Sequence, residues 1–140
     1  MPPYLPSETA DIVYADTNGE LTRFLRSNCH GRFPDFPPVV DLGNHTTTPP
    51  ITYYLEVKTT TSPNPDEKFY MSKGEYELMQ SYALQPGQTP TEIYVILRVY
   101  NLTSNQIGIK FFVDPCRYEA NGTLRFETGV YHVYPTTSTE

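Results

Sequence analysis

Residues 92–102, EIYVILRVYNL, leave this chain the fewest choices. Between Ile93 and Leu102 only Arg98 carries a charge. A strand this apolar can show water neither face, so it belongs inside a sheet with cover on both sides. The charge on Arg98 is expected to meet a carboxylate or to snorkel to an edge, with phosphate contact as the alternative.

A second strand is expected at residues 51–61, ITYYLEVKTTT. Alternation puts Ile51, Tyr53, Leu55 and Val57 on one face and Thr52, Tyr54, Glu56 and Lys58 on the other. Between these two strands lies FYMSKGEYELMQSYAL, where Ser72 and Glu75 have the spacing of a capping box and Tyr76, Met79, Tyr82 and Ala83 share a helical face. Glu75 is therefore assigned to capping. An earlier helix is expected from Thr17 or Asn18 to Ser27, with Asn18 as its cap and Leu21, Phe24 and Leu25 as its apolar stripe. VVDLG at 39–43 reads as a short strand, and the segments IGIKFFVDP and GTLRFETGVYHVYP add one to three more. The fold class is mixed α/β (α+β): a central mixed sheet of about four to six strands flanked by two helices. Residues 1–17 read as a Pro-rich lead-in, 18–115 as the core, and 116–140 as a strand extension of the same domain.

The 140 residues carry a formal net charge of −6. A protein that binds nucleic acid tightly and autonomously draws its affinity from a basic excess, which is missing here. Two cysteines, Cys29 and Cys116, lie too far apart in sequence for a CxxC metal pattern and are expected to be reduced thiols. His30, His45 and His132 have no metal spacing. No apolar run is long enough for a transmembrane helix, and MPPYLPSETADIVYAD lacks the parts of a secretory leader. The expectation is an intracellular protein, nuclear or cytoplasmic, that is not secreted and does not enter membranes.

Glu56 and Lys58 place both signs of charge on one strand face. A hard divalent cation takes oxygen ligands, and Glu56 with the backbone carbonyl of Val57 supplies two. Asp41 would supply a second carboxylate if 39–43 and 51–60 pair as a hairpin, with Asp35 in FPDFPP as the competing candidate. Lys58 could then orient a metal-bound water and steady developing negative charge. Glu20 could add an outer carboxylate, or simply favour a helix N-terminus. Arg23, Arg26 and Lys73 would make a basic groove if they gathered beside Lys58.

The D-x(14)-E-x-K arrangement resembles the PD-(D/E)xK nuclease superfamily. The ordered pieces NGEL, VDL, YLEVKTT, FYMSKGEYE and YVILRVYN, spread over roughly residues 18–115, are similar to the domain at the C-terminus of the plant NO VEIN protein and its relatives, a nuclease-like domain of uncharacterised activity. The resemblance implies a restriction-endonuclease-like αβββαβ core. It also implies Asp41 and Glu56 as ligands of Mg²⁺ or Mn²⁺, Lys58 as the catalytic lysine and Glu20 as the auxiliary carboxylate. Two functions follow from it: metal-dependent hydrolysis of nucleic-acid phosphodiesters, or a catalytically inactive nuclease-fold module that binds other proteins in a larger assembly.

Overall fold

The computed structural model describes residues 10–34, 50–127 and 131–136. Its main sheet has the order β1-β2-β4-β5, built from β1 (Ile12–Asp16), β2 (Ile51–Thr59), β4 (Glu92–Tyr100) and β5 (Gly108–Val113). β2 and β4 run parallel, while β1 on β2 and β5 on β4 are antiparallel. The parallel pair requires a crossover, which is made by β3 (Phe69–Met71) and α2 (Lys73–Ser81). β3 belongs to a second sheet of order β3-β7-β6, with β6 at Leu124–Glu127 and β7 at Tyr131–Pro135. The α/β class and the mixed central sheet are as read from the sequence. The second sheet and a third helix, α3 (Pro115–Ala120), were not foreseen.

Alternation along β2 and β4 divides the core in two. Ile51 and Tyr53 of β2 join Ile93 and Val95 of β4 against Leu25 and Leu21 of α1 (Glu20–Asn28). Tyr54, Tyr94 and Ile96 face the other way, toward Leu78 and Met79 of α2, Tyr118 of α3, and Met71, Leu124 and Val133 of the second sheet. β4 is covered on both faces, as its composition required: Ile93, Tyr94, Val95 and Ile96 are all essentially inaccessible.

Two local outcomes differ from expectation. Residues 12–16 lie in the stretch read as lead-in, yet they form the edge strand β1. Only Asp16 of β1 is buried, so no apolar periodicity marks the strand. At α1 the cap position falls to Gly19 in the left-handed region (φ 71°) rather than to Asn18. The free helix N–H groups are met by Asp16, which accepts from Leu21 N–H (3.1 Å), Thr22 N–H (2.8 Å) and Thr22 Oγ1 (2.7 Å). Burial alone would raise the Asp16 pKa; the hydrogen bonds from Thr22 and Leu21 outweigh it and hold the carboxyl below its usual range. Both cysteines are free thiols, each half-buried. Among the described residues no helix is long and apolar enough to cross a membrane.

Candidate functional site

Glu56 and Lys58 share the β2 face that turns toward α2, as alternation predicts, but that face is not open to water. Glu56 is 2 % exposed. Its Oε1 lies 3.7 Å from Lys58 Nζ. The lysine is held more closely by Glu75, donating to its two carboxylate oxygens at 3.1 and 3.2 Å. Glu75 also closes the capping box of α2: Ser72 Oγ accepts from Glu75 N–H (3.0 Å), and Glu75 Oε1 accepts from Ser72 N–H (2.7 Å). The assignment of Glu75 to capping alone is therefore corrected. The residue that starts the helix is also the main counter-ion of Lys58, because the cap sits over the end of β2.

A third carboxylate arrives from β1. Asp11 immediately precedes that strand, and its backbone N–H donates to Glu56 Oε2 at 3.3 Å. Its own Oδ2 accepts from Val57 N–H at 2.9 Å. In a strand the N–H and C=O of one residue point to the same edge, so the Val57 carbonyl faces the edge that Asp11 occupies. Two carboxylates, Glu56 and Glu75, thus flank the ammonium of Lys58, and Asp11 adds a third beside Glu56. Burial, then the hydrogen bond and charge of Glu75, then Asp11 raise Glu56 to about 8, with Lys58 opposing. For Glu75 burial acts upward too, but the hydrogen bonds from Glu56 and Ser72 and the charge of Lys58 bring it to about 2. Burial and crowding thus favour a proton shared within this pair, with Glu56 the easier of the two to protonate.

Tyr94 borders the same cluster. It is the register partner of Tyr54, two positions before Ile96 opposite Glu56, so it shares their face. It is 1 % exposed, and its hydroxyl has no hydrogen-bond partner among the described residues. Burial first, then the charges of Glu56, Glu75 and Asp11, push its pKa upward.

Of the other expected site residues, those that are described do not gather here. Asp41 and Asp35 lie outside the described residues. The hairpin that would deliver Asp41 has no edge to use over Ile51–Leu55, because β1 pairs with one side of that stretch and β4 takes the other side from Thr52 onward. Glu20 is exposed on α1, and α1 packs on the face opposite Lys58, so it is not an outer carboxylate of this site. The same packing removes Arg23 and Arg26 from Lys58, and Lys73 pairs along its own helix with Glu77 at 3.8 Å. The expected basic groove is therefore not formed. Asp11 had one legible signal: it stands before IVY, a run of good strand formers.

Arg98 makes no direct ion pair and does not snorkel, though the Glu67 charge acts on it from a distance. At 1 % exposure it donates to the backbone carbonyls of Lys58 (3.2 Å) and Glu67 (3.0 Å), with Phe69 under its guanidinium at 5.1 Å. Its Nε has no partner among the described residues. Comparison with family models, curated proteins and solved structures gives no match.

Proposed function

We propose that this chain is a divergent nuclease-like domain that hydrolyses nucleic-acid phosphodiesters, with Asp11 and Glu56 as carboxylate ligands of Mg²⁺ or Mn²⁺ and Lys58 beside the attacking water. The observation that carries this reading is the meeting of Asp11 and Glu56 beside the Val57 backbone, with Lys58 3.7 Å from Glu56. Among the described residues no three His, Cys, Asp or Glu side chains form a metal cluster by themselves. Magnesium does not require three: it is commonly held by one or two carboxylates, with water and substrate phosphate completing the shell. The hard-oxygen donor set and the unpartnered Tyr94 hydroxyl beside it fit such an ion. So does the upward push on Glu56, since carboxylates crowded together without enough positive charge favour their protonated forms. When bound, the ion supplies Lewis acidity and lowers the pKa of its water.

The chain's own residues then have distinct tasks. Asp11 fixes the edge of β2 by accepting from Val57 N–H. Lys58 presents a point charge to negative charge developing on phosphate oxygen. Glu75 holds that ammonium and keeps it from collapsing onto Glu56.

The second reading, a catalytically inactive module that binds other proteins, is favoured by one observation: Lys58 is already neutralised by Glu75. Calorimetric titration with Mg²⁺ and Mn²⁺, run beside a cleavage assay on single- and double-stranded DNA and RNA, separates the two. Wild type should bind a divalent ion with release of about one proton near pH 7. Asp11→Asn and Glu56→Gln should each weaken binding at least ~10-fold, while Asp41→Asn should leave it unchanged. Lys58→Ala should keep metal binding and lose cleavage by ~100-fold or more. A folded wild type that binds neither ion would end the nuclease reading in favour of the interaction module.

A further inference from the structure

Lys58, Arg98 and Lys110 occupy one register position across three neighbouring strands. Lys58 of β2 pairs with Arg98 of β4, and Arg98 pairs with Lys110 of β5. Register partners project from the same face, so three cations stand side by side at the roughly 4.8 Å spacing of strands. Like charges directly opposite one another destabilise a sheet. The outer two are relieved by carboxylates, Lys58 by Glu75 and Lys110 by Asp66 at 2.8 Å. The middle one has no such contact: among the described residues Arg98 makes no ion pair, its direct partners are carbonyl oxygens and the Phe69 ring, and the Glu67 charge acts on it only from a distance, without offsetting its burial. A buried guanidinium with no carboxylate in direct contact is expensive.

The row ends at a cavity of about 390 Å³ lined by Val57, Lys58, Thr59, Thr60, Lys68, Phe69, Tyr70 and Arg98. Three of these eight residues are cationic and none is acidic, in a chain with 16 acidic and 10 basic residues. Glu67, whose carbonyl Arg98 uses, does not line the cavity, and Asp66 is committed to Lys110. Lys68 is exposed and leans toward the Tyr134 ring at 5.9 Å. Thr59 and Thr60 add hydroxyl donors, and the half-exposed Tyr70 ring stands at the mouth (54 % exposed).

We propose that this cavity is an oxyanion subsite that takes a phosphate group, whose charge balances Arg98 and which Lys58 and Lys68 contact from either side. A tetrahedral oxyanion suits a planar guanidinium flanked by point-charge ammonium groups. The subsite does not depend on metal chemistry, so it stands or falls separately from the nuclease reading.

The test is titration of ¹⁵N-labelled protein with inorganic phosphate in EDTA, against chloride at matched ionic strength, followed by amide shifts. Saturable shifts confined to residues 57–60 and 68–70, with a Kd of about 1 mM or tighter, are expected. Lys68→Ala, an exposed position that does not endanger folding, should weaken binding at least fivefold. Arg98→Lys should weaken it further by removing the fork, and Arg23→Ala on the opposite sheet face should bind like wild type. Absence of saturable shifts in wild type, or unchanged affinity in Lys68→Ala together with folded Arg98→Lys, would overturn the proposal. Short single-stranded oligonucleotides with and without a 5′-phosphate then identify the source. A tenfold gain over inorganic phosphate for both supports a backbone phosphate, and a gain only for the phosphorylated strand supports a terminal one. No gain for either supports free phosphate as the ligand.

Discussion

Glu56 is pushed toward its protonated form because it is buried beside Glu75 and Asp11, and Lys58 is drawn more toward Glu75 than toward it. Its folded pKa, about 8, lies above the ordinary 4.5 of the unfolded chain, so the folded state binds more protons across that interval. The Glu56 contribution to stability is therefore full below about pH 4.5 and is lost as pH rises toward 8. Glu75, held near 2, acts in the opposite sense: its contribution is present above 4.5 and is lost as pH falls toward 2. Glu56→Gln imitates the protonated form. Between pH 6 and 8 its melting temperature should fall by less than that of the wild type; nearer pH 5 the buried Asp114, raised to about 6, adds the same slope to both proteins. Thermal unfolding by circular dichroism across that range checks this, and parallel curves for the two proteins would refute the assignment of the proton to Glu56. On the proposed nuclease reading, metal binding should run the other way. The ion must expel that proton, so affinity in wild type should rise with pH up to about 8 and then level off.

Both main helices begin on a carboxylate that does a second job. Glu75 caps α2 and grips Lys58, and Asp16 satisfies the first turn of α1 while its partner Thr22 Oγ1 lies 2.7 Å from Tyr53 Oη. Ser72→Ala removes one half of the α2 box and should cost about 1 kcal/mol. Asp16→Ala removes three acceptor contacts at a buried site and should cost toward ~2 kcal/mol, the upper end for a cap. Urea unfolding measures both. A larger loss for Ser72→Ala than for Asp16→Ala would contradict the burial argument. The α2 cap was legible because S-x-x-E is a local spacing. The α1 cap was not, because the accepting carboxylate lies outside the helix, across a turn that needs Gly19 at positive φ. β1 escaped notice for a related reason: an edge strand with four exposed residues has no buried face to impose alternation.

At the level of the whole molecule, β6 and β7 are part of the core. Leu124 and Val133 pack with Met71, Met79 and Phe112, and β7 is the strand that pairs β3. A chain ending at residue 123 should lose cooperative unfolding, seen as a broad, low-amplitude thermal transition; a sharp two-state transition would mean the second sheet is dispensable. Phe112→Ala should cost about 3–5 kcal/mol, since the ring is fully buried where β5 meets Tyr118 and His30. Sequence alone determined what depends on neighbours along the chain: the doubly covered strand at 92–100, the polar pair Glu56 and Lys58 on one face of β2, the helix opened by Ser72, and hence the mixed α/β class. Periodicity and capping are read within a dozen residues, so they survive without tertiary knowledge. Only the tertiary structure decided which distant groups meet. It brought Asp11 rather than Glu20 to Glu56, turned Glu75 from a cap into a counter-ion, and aligned Lys58, Arg98 and Lys110 across three strands. Strand order and register fix those meetings, and neither is written in the spacing of any single segment.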